Sequence, residues 1–493
     1  MESKEFISSK GRIFRAMMGL EIHLQIKTQR KLFSPGPSSI FGAEPNSCVS
    51  FVDAGFPGML PTLNEGCVKK AIMMGLGLGG MINPVSVMER KHYFYRDLPD
   101  GYQRSQNRYP LVENGKYVLK SGKEIRIQRL HIEQDAGKSI YDEKTGTCLV
   151  DLNRAGVGLM EIVSEPDFET PDEVVEYVKS IRNLARYLDT SDGDMEKGQL
   201  RVDANISVSL PGDPAGRRVE LKNMNSVRFL NQALVYEIQR QIECIEADEM
   251  VHQETRSFDP VKGTTARLRL KENSDDYRYF PDPDMPDLRL SEEYILAIAQ
   301  TMPELPSQKK DRFIRDLALS EYDASILSDC YEVSVFFDQC VGSLKKPEPQ
   351  SYKWVANWIV GSLFALLPDK EAIGSCPITP GNLAQLIHCL QEGSLSSPLA
   401  KEVFQLMWDT GKDPLHIMQE RGLVQVLDLD TIQGWIDEVL QDSPQQLQQY
   451  LGGKEKLLTY FVGQTMKKAQ GKANPSIIQE LLLKTFEEKK KSV

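Results

Sequence analysis

Strict alternation of apolar and polar residues marks the segment MGLEIHLQI, residues 18–26. A period of two is typical of a β-strand that buries one face, and here the second face carries Glu21 and His23. Similar alternation predicts strands at 17–26, 126–135, 158–164, 200–210 and 217–222. Up to about residue 290 the pattern therefore indicates a mixed α and β body.

Helical periodicity occurs between these strands and takes over after a proline-rich break at 279–288. The segment 64–80 is one predicted helix, and 170–189 is another. Thr170 is the expected N-cap of the second helix, and Glu173 is expected to close a capping box. Beyond the break the strand pattern disappears, which predicts short helices to the end of the chain.

Composition fits a soluble globular protein with several domains. A chain of 493 residues predicts two to four domains. Its longest apolar segment, 71–82, has 12 residues, whereas a membrane span needs about 20. The first residues lack the apolar core of a secretory signal. Eight cysteines lie at least ten positions apart, which disfavours a cysteine-based metal site and indicates a reducing, cytoplasmic setting.

Charge is unevenly distributed along the chain. The net charge of −11 argues against a protein coated with nucleic acid. Residues 454–493, however, hold nine Lys and four Glu. A basic segment on an acidic body indicates one local contact with a polyanion. A solvated, lysine-rich terminal helix is the alternative interpretation.

Three glycines, Gly75, Gly77 and Gly80, match the dinucleotide-binding pattern G-x-G-x-x-G. That pattern binds a pyrophosphate only where a strand precedes it and a helix follows. Here a predicted helix precedes it, and Asn83 and Pro84 follow. We therefore interpret these glycines as sites of close helix packing.

The polar faces of the predicted strands are rich in carboxylates, imidazoles and amides. If the strands pair in one antiparallel sheet, five side chains converge: Glu21, His23, Glu133, Glu161 and Asp203. Such a cluster repels itself unless cations neutralise it, and these ligand types suit Mg²⁺ or Mn²⁺. Magnesium held by carboxylates is how many enzymes bind ATP phosphates. If the strands lie apart, the same faces merely meet water.

Several long motifs, collinear over nearly the whole chain, resemble the B subunits of aspartyl/glutamyl-tRNA amidotransferases. They are GLEIHLQIKTQRKLFS (19–34), ERKHYFYRDLPDGYQRSQ (89–106), RLHIEQDAGK (129–138), VDLNRAGVGLMEIVSEPD (150–167), RVDANISV (201–208), ELKNMNSVRF (220–229), QETRSF (253–258), DYRYFPDPD (276–284) and FVGQTMKKAQGKANP (461–475).

This resemblance implies an α+β fold in three parts. A catalytic cradle domain with a glutamine-synthetase-like antiparallel sheet would span 1–291. An all-α helical domain would span 292–405, and a small all-α tail domain that binds tRNA would span 406–493.

The resemblance also implies a glutamine-hydrolysing carbon–nitrogen ligase that acts as a heterotrimer. A separate amidase (glutaminase) subunit would release ammonia from glutamine, and a small third subunit would clamp the other two. This chain would use Mg²⁺ and ATP to phosphorylate the side-chain carboxylate of misacylated Glu-tRNA(Gln) or Asp-tRNA(Asn). Ammonia would then displace phosphate. Neither DNA nor a membrane is an expected partner.

Family motifs assign roles to residues of this sequence. Metal ligands would be Glu21, His23, Glu133 and Glu161, with Asp203 and Asn205 on the same polar face. Candidates for contacts with ATP or the tRNA 3′ end are Lys91, Tyr93, Tyr95, Glu220, Lys222, Glu254 and Arg256. Candidates for tRNA phosphate contacts are Lys467, Lys468 and Lys472.

Four positions depart from the family pattern. The family usually has an acid where this chain has Gln134, proline where it has Arg96 and Gly158, and an arginine near the position of Ala266. Alternation places Glu133 on the polar face and turns Gln134 away, so we expect Glu133 to be the ligand. Two other classes remain open: a ligase for a free small molecule and a non-catalytic tRNA adaptor. The sequence also leaves open which misacylated tRNA is the substrate.

Overall fold

The computed structural model describes residues 5–270, 277–423, 428–469, 473 and 475–491. The chain divides into two compact units between Leu305 and Pro306. Among the described residues, no helix is both long and apolar enough to cross a lipid bilayer.

Strands occur in the first unit. Their bounds are β1 Phe6–Ile7, β2 Ile13–Gln25, β3 Met81–Ile82, β4 Val85–Ser86, β5 Glu89–His92, β6 Tyr102–Ser105, β7 Val112–Val118, β8 Glu124–Gln134, β9 Lys138–Asp142, β10 Thr147–Asp151, β11 Gly158–Ser164, β12 Leu200–Ser209, β13 Val219–Lys222, β14 Glu254–Asp259, β15 Thr264–Leu270, β16 Phe280–Pro281 and β17 Leu288–Arg289. The five strands predicted from alternation correspond to β2, β8, β11, β12 and β13, so their prediction is confirmed.

Helices of the first unit are α1 Glu65–Gly77, α2 Pro171–Tyr187, α3 Val227–Glu246 and α4 Glu292–Gln300. Those of the second unit are α5 Pro306–Arg315, α6 Glu321–Ser328, α7 Tyr331–Gly342, α8 Pro349–Asn357, α9 Pro380–Gln391, α10 Ser397–Thr410, α11 Pro414–Arg421, α12 Leu429–Asp442, α13 Pro444–Leu451, α14 Leu457–Lys468 and α15 Pro475–Lys491. A π-helical turn, Trp358–Leu363, and a 3₁₀ helix, Lys370–Ser375, also belong to the second unit.

One large sheet organises the first unit, in the order β15-β14-β13-β12-β2-β11-β8-β7-β3, with β1 on the end of β2. Its neighbouring strands are antiparallel except β13 and β14, which are parallel. The sheet is therefore mixed, and the expectation of an antiparallel sheet is corrected at this pair. The physical reason is α3, which lies between the two strands in sequence and provides the crossover that a parallel pair requires.

Burial follows the alternation seen in the sequence. Met18, Leu20 and Ile22 of β2 lie in the main core of the first unit, together with residues of α1, α2 and α3. The opposite face of the sheet carries the polar positions of the same strands, and we call it the open face. A period of two thus separates the hydrophobic core from the candidate chemistry.

Helix α2 begins as predicted, with one difference in its cap. The Thr170 hydroxyl accepts a hydrogen bond from the Glu173 N–H at 3.2 Å. The Glu173 carboxylate accepts from the Glu169 N–H at 2.8 Å, whereas a capping box would bring it to Thr170. Lys123 contacts both Glu169 and Glu173 at 2.8 Å. This added cation draws the carboxylate one residue further back.

The glycines of the rejected nucleotide motif pack closely, as expected. A Cβ atom at Gly75 or Gly80 would lie 2.5 Å from a methyl group of Val112, and one at Gly77 would lie 3.0 Å from Leu188. These glycines allow α1 and the following turn to approach β7 and the end of α2.

The described part of the second unit contains two hydrophobic cores. One runs from Phe313 to Leu423 in sequence, and the other from Ile432 to Phe486. The boundary expected after residue 291 falls just before α4, whose residue Ile298 packs in the core of the first unit instead. The first unit therefore extends to Leu305, because α4 buries its apolar side against that core.

Gly80→Ala tests the tight packing. We expect a loss of about 1–3 kcal/mol, since the new methyl group would clash with the buried Val112. Combining it with Val112→Ala should cost less than the sum of the two changes, because the clash is relieved. Denaturation midpoints measure this. Gly381→Ala is the control, since a Cβ there meets nothing within 4 Å; equal midpoints for the two glycine variants would contradict the interpretation.

Candidate metal centre

Strand β2 lies between β11 and β12, and this pairing brings the predicted side chains together. His23 is directly opposite Glu161 on β11, and Glu21 is directly opposite Asp203 on β12. Directly opposite residues of neighbouring strands share a face of the sheet. Two successive polar positions of β2 thus face acidic partners on opposite sides.

The first group of ligands is His23, Glu133 and Glu161, which we call the His23 cluster. Its ligand atoms lie within 4.8 Å of one another. His23 Nε2 is 3.2 Å from Glu161 Oε2 and 3.6 Å from Glu133 Oε1. An imidazole with two carboxylates suits Mg²⁺ or Mn²⁺.

The second group is Glu21, Asp203 and Glu220, which we call the Glu21 cluster. Its carboxylate oxygens also lie within 4.8 Å of one another. Asn205 Nδ2 donates to Glu21 Oε1 at 3.1 Å. The ligand atoms of Glu21 therefore group most closely with those of Asp203 and Glu220, whereas the sequence interpretation had grouped Glu21 with His23, Glu133 and Glu161. The reason is the register, which gives β2 one partner strand on each side.

Charge in the Glu21 cluster is balanced in part by Lys222. Its Nζ lies 2.5 Å from Asp203 Oδ2 and 3.3 Å from Glu220 Oε1. Burial opposes the charged ammonium, but Asp203 and Glu220 outweigh it and raise the pKa of Lys222. Burial, with the nearby charges of Glu161, Asp203 and Glu220, raises the pKa of Glu21. These acids repel one another where no further cation is bound.

His131 is a member of the site that the sequence interpretation left out. Its Nε2 lies 3.4 Å from Glu133 Oε2 and 3.3 Å from Glu161 Oε2. Burial opposes its charged form, but the two carboxylates raise the pKa of His131 to about 9. Its Nδ1 is buried and has no hydrogen-bond partner among the described residues. Alternation in the sequence could have identified His131, because it puts His131 on the same strand face as Glu133.

Both carboxylates of the His23 cluster are held ionised. Burial opposes ionisation of Glu161, but His131 and His23 hold its pKa well below the usual value. The pKa of Glu133 is also lowered, where the histidines outweigh burial and the charge of Glu161. Burial opposes the charged form of His23, but Glu161 and Glu133 outweigh it and raise the pKa of His23, so both histidines offset the charge of these carboxylates.

Residues from β5 and β6 line the His23 cluster on the β8 side. Burial opposes the charge of Lys91, but Tyr279, Glu133 and Glu161 outweigh it and raise its pKa. Ser105 Oγ, another residue missed in the sequence, donates to Glu133 Oε2 at 2.9 Å. Lys91 thus lies near the two carboxylates, and its contact with ATP or the tRNA 3′ end stays a prediction.

Tyrosines surround this lysine. Its Nζ lies 4.9 Å from the ring centre of Tyr277 and 5.9 Å from that of Tyr93. The Tyr93 hydroxyl donates to Gln103 Oε1 at 3.1 Å, whereas Tyr95 is largely exposed. Tyr93 is therefore fixed beside the cluster, while Tyr95 lies at the surface.

Arg256 and Glu254 do not join the site. Arg256 is paired with Leu221, a core residue on the face opposite the clusters. Its guanidinium contacts Glu254 at 2.6 Å and lies 3.5 Å from the buried Glu237 of α3. Both take part in a charge network between the sheet and α3, and their contact with ATP or the tRNA 3′ end stays a prediction. The motif gave their residue types but not their face.

Gln134 faces away from the clusters, as alternation predicted. It is opposite Gly158, where an added Cβ atom would meet the core atoms of Cys67, Ile26 and Leu32. Glu133, one residue earlier, faces the open side. The expected facing of these two neighbours is confirmed.

Helix α14 carries two of the three tail lysines chosen from the sequence. Lys467 is exposed at its end. Lys468 pairs with Glu438 at 2.6 Å and with Asp442 at 3.3 Å, both on α12. The third, Lys472, lies outside the described residues. Of the two, Lys467 is the better placed for a phosphate.

Comparison with known proteins gives the family. Residues 16–296 match the family of the GatB/GatE catalytic domain, and residues 336–486 match the GatB domain. The B subunit of the aspartyl/glutamyl-tRNA(Asn/Gln) amidotransferase of Rickettsia rickettsii (strain Iowa) is 48% identical over 472 residues, which are 94% of this chain and 96% of the relative. That of Pelagibacter ubique (strain HTCC1062) is 47% identical over 490 residues, 98% and 99% of the two chains.

The chain belongs to the family of amidotransferase B subunits. The resemblance seen in the sequence is therefore confirmed. In this B-family chain, both clusters lie within the part that matches the catalytic domain, and α14 lies within the part that matches the GatB domain.

Divalent metal binding tests the ligands of the His23 cluster. We expect Glu133→Gln and Glu161→Gln to weaken Mn²⁺ binding at least about tenfold, since even changes to partners of metal ligands cost 10–100-fold. Gln134→Ala should bind Mn²⁺ like the parent chain, because Gln134 faces the core. Calorimetric titration or the Mn²⁺ electron paramagnetic resonance signal measures this. Equal weakening by Gln134→Ala and Glu133→Gln would contradict the assigned ligand.

Proposed function

We propose that this chain activates the side-chain carboxylate of Glu-tRNA(Gln), Asp-tRNA(Asn) or both with ATP and then amidates it. The observation that carries the proposal is the pair of adjacent carboxylate clusters on the open face of one sheet. An enzyme that transfers a phosphoryl group must neutralise the charges of ATP and of the attacking carboxylate. Members of the family are named as amidotransferase subunits, which fits this chemistry.

The proposed reaction has two steps. A carboxylate oxygen of the misacylated residue attacks the γ-phosphorus of ATP, and the bond from that phosphorus to the β,γ-bridging oxygen breaks, which releases ADP. The nitrogen of ammonia then attacks the acyl carbon, the bond to the phosphate oxygen breaks, and a proton leaves the nitrogen. Phosphorylation is needed because a carboxylate alone has no good leaving group.

The donor set fits magnesium. His23, Glu133 and Glu161 would hold one ion, and Glu21, Asp203 and Glu220 a second. Bound Mg²⁺ would neutralise phosphate charge and orient the transferred group. The two groups of closely spaced acidic ligand atoms support this assignment.

Protein side chains would do the remaining work. Lys91 would place a fixed positive charge beside Glu133, where phosphate oxygens of ATP gather. His131 would keep Glu133 and Glu161 oriented through its contacts with both. Tyr93 and Asn205 would position ATP or the tRNA 3′ end around the two clusters.

The source of ammonia would be a partner. Relatives are named as one lettered subunit of an amidotransferase, and we propose that a separate amidase subunit releases ammonia while a small third subunit completes a heterotrimer. In this proposal the first unit is a glutamine-synthetase-like cradle, and residues 406–493 form the tail domain that binds tRNA. The cysteines are free thiols, which fits the cytoplasmic setting that we propose.

Assays of the assembled complex test this function with each misacylated tRNA separately. ATP cleavage should require the tRNA, and ammonium should replace glutamine even when the amidase partner is inactivated. Glu133→Gln should slow both ATP cleavage and amidation about 10²–10³-fold, as expected for a loss of about 3–4 kcal/mol. Gln134→Ala is the matched control.

Two results would contradict the proposal. One is glutamine hydrolysis by the purified chain without partners, since the nitrogen source would then lie in this polypeptide. The other is amidation without ATP cleavage, which would leave the carboxylate unactivated.

Binding of tRNA tests the tail. Lys467→Ala should flatten the log–log salt dependence of tRNA affinity by roughly 0.7–0.9 units, which is the effect of one lost phosphate contact. Lys468→Ala should change the slope less, because Lys468 already pairs with two acids of α12. Filter binding at several salt concentrations measures both. An unchanged slope for Lys467→Ala would favour a merely solvated helix end.

A further inference from the structure

Arg201 lies where the two clusters meet. It is directly opposite His23 of the first cluster, and two positions along β12 comes Asp203 of the second, opposite Glu21. These alternate positions of the two strands share the open face. The side chain of Arg201, which is permanently charged, therefore starts from a strand position next to His23 of one cluster and Asp203 of the other.

Asp135 orients this arginine. Arg201 Nη2 donates a hydrogen bond to Asp135 Oδ2 at 3.0 Å. Arg154 Nε approaches the same oxygen at 3.5 Å, but its main bonds are to the carbonyl oxygens of Ala136 at 2.9 Å and Gly137 at 2.6 Å. Asp135 thus lies between two guanidinium groups.

Asp135 itself is fixed by the surrounding chain. Its N–H donates to the carbonyl of Val157 at 2.8 Å, and its carbonyl accepts from the N–H of Gly156 at 3.0 Å. The buried Lys31 holds the same loop, because its Nζ donates to the Ala155 carbonyl at 2.7 Å and pairs with Asp53 at 3.1 Å. The Arg201–Asp135 pair is thus set in a rigid frame before any substrate binds.

We propose that Arg201 binds the oxygens of the phosphoryl group during its transfer, and that Asp135 is a positioning residue for Arg201. The inference rests on the proposed function and deepens it. A guanidinium has five N–H donors in a planar fork that suits phosphate, and Asp135 accepts from one end of it. The Arg201 side chain is 36% exposed, so donors remain accessible from the open face.

The location explains why an arginine is needed among so many acids. Charge on the transferred group develops between the attacking carboxylate and the departing ADP, and a fixed donor aimed there stabilises the transition state. Lys222 pairs with Asp203 and Glu220. Arg201 instead shares Asp135, its ion-pair partner within the described chain, with Arg154. Asp135, followed by Glu133 and Asp203, outweighs burial and raises the pKa of Arg201, so its guanidinium lies near acids of both clusters.

The test compares Arg201 with Arg154 in the assembled complex. Arg201→Lys keeps the charge but loses the fork, and we expect kcat for tRNA-dependent ATP cleavage to fall about 10²–10³-fold with KM for misacylated tRNA little changed. Arg154→Lys should lose less than about tenfold, because that arginine supports backbone carbonyls outside the clusters. Mn²⁺ should still bind the Arg201→Lys variant, which separates a lost phosphate contact from a collapsed site.

Chemical rescue provides the second variant. Guanidinium ions at non-denaturing concentrations should restore part of the ATP cleavage lost in Arg201→Ala, and should not restore Arg154→Ala. Equal losses for the two lysine variants, or no rescue of Arg201→Ala, would overturn the role of Arg201 while the parent complex still cleaves ATP. A parent complex without tRNA-dependent ATP cleavage would instead reject the proposed function, and this inference with it.

Discussion

Repulsion among buried carboxylates is the constraint on which the open face of the main sheet depends. Burial, followed by the nearby charges of Glu161, Asp203 and Glu220, raises the pKa of Glu21. Such an arrangement persists only with cations between the acids, because unpaired buried charge is costly. Near these acids the described structure places two histidines, Lys91, Lys222 and Arg201. Stability and chemistry therefore compete for the same positions, as is common at catalytic sites.

The sheet solves the problem of assembling this charge. Glu21 and His23 are two residues apart on β2, yet the strands on either side give each of them a different set of partners. Their apolar neighbours anchor the strand in the core. Because the same backbone carries both sets, the distance between the clusters is fixed by strand geometry rather than by flexible loops.

Alternation in the sequence was sufficient to predict the five central strands and the facing of Glu133 and Gln134. The order of predicted elements around the glycine motif was sufficient to predict the close packing at Gly75. It could not predict which strands are neighbours, and for that reason the single expected ligand set became two clusters. Motif resemblance named Arg256 because of its residue type, whereas the parallel pairing of β13 and β14 decides its face. His131 was overlooked because its spacing from Glu133 in sequence does not reveal that Glu161 lies directly opposite it on the neighbouring strand.

Register in β2 has a consequence for how this chain can change over evolutionary time. Substitutions in the strand act on one position each. Deletion or insertion of a single residue between Gly19 and Glu21 would instead turn every following side chain of the strand to the other face. Charged ligands of both clusters would enter the core together, and apolar residues would take their places. Length variation is therefore excluded from this strand, whereas surface loops can accept it at small entropic cost.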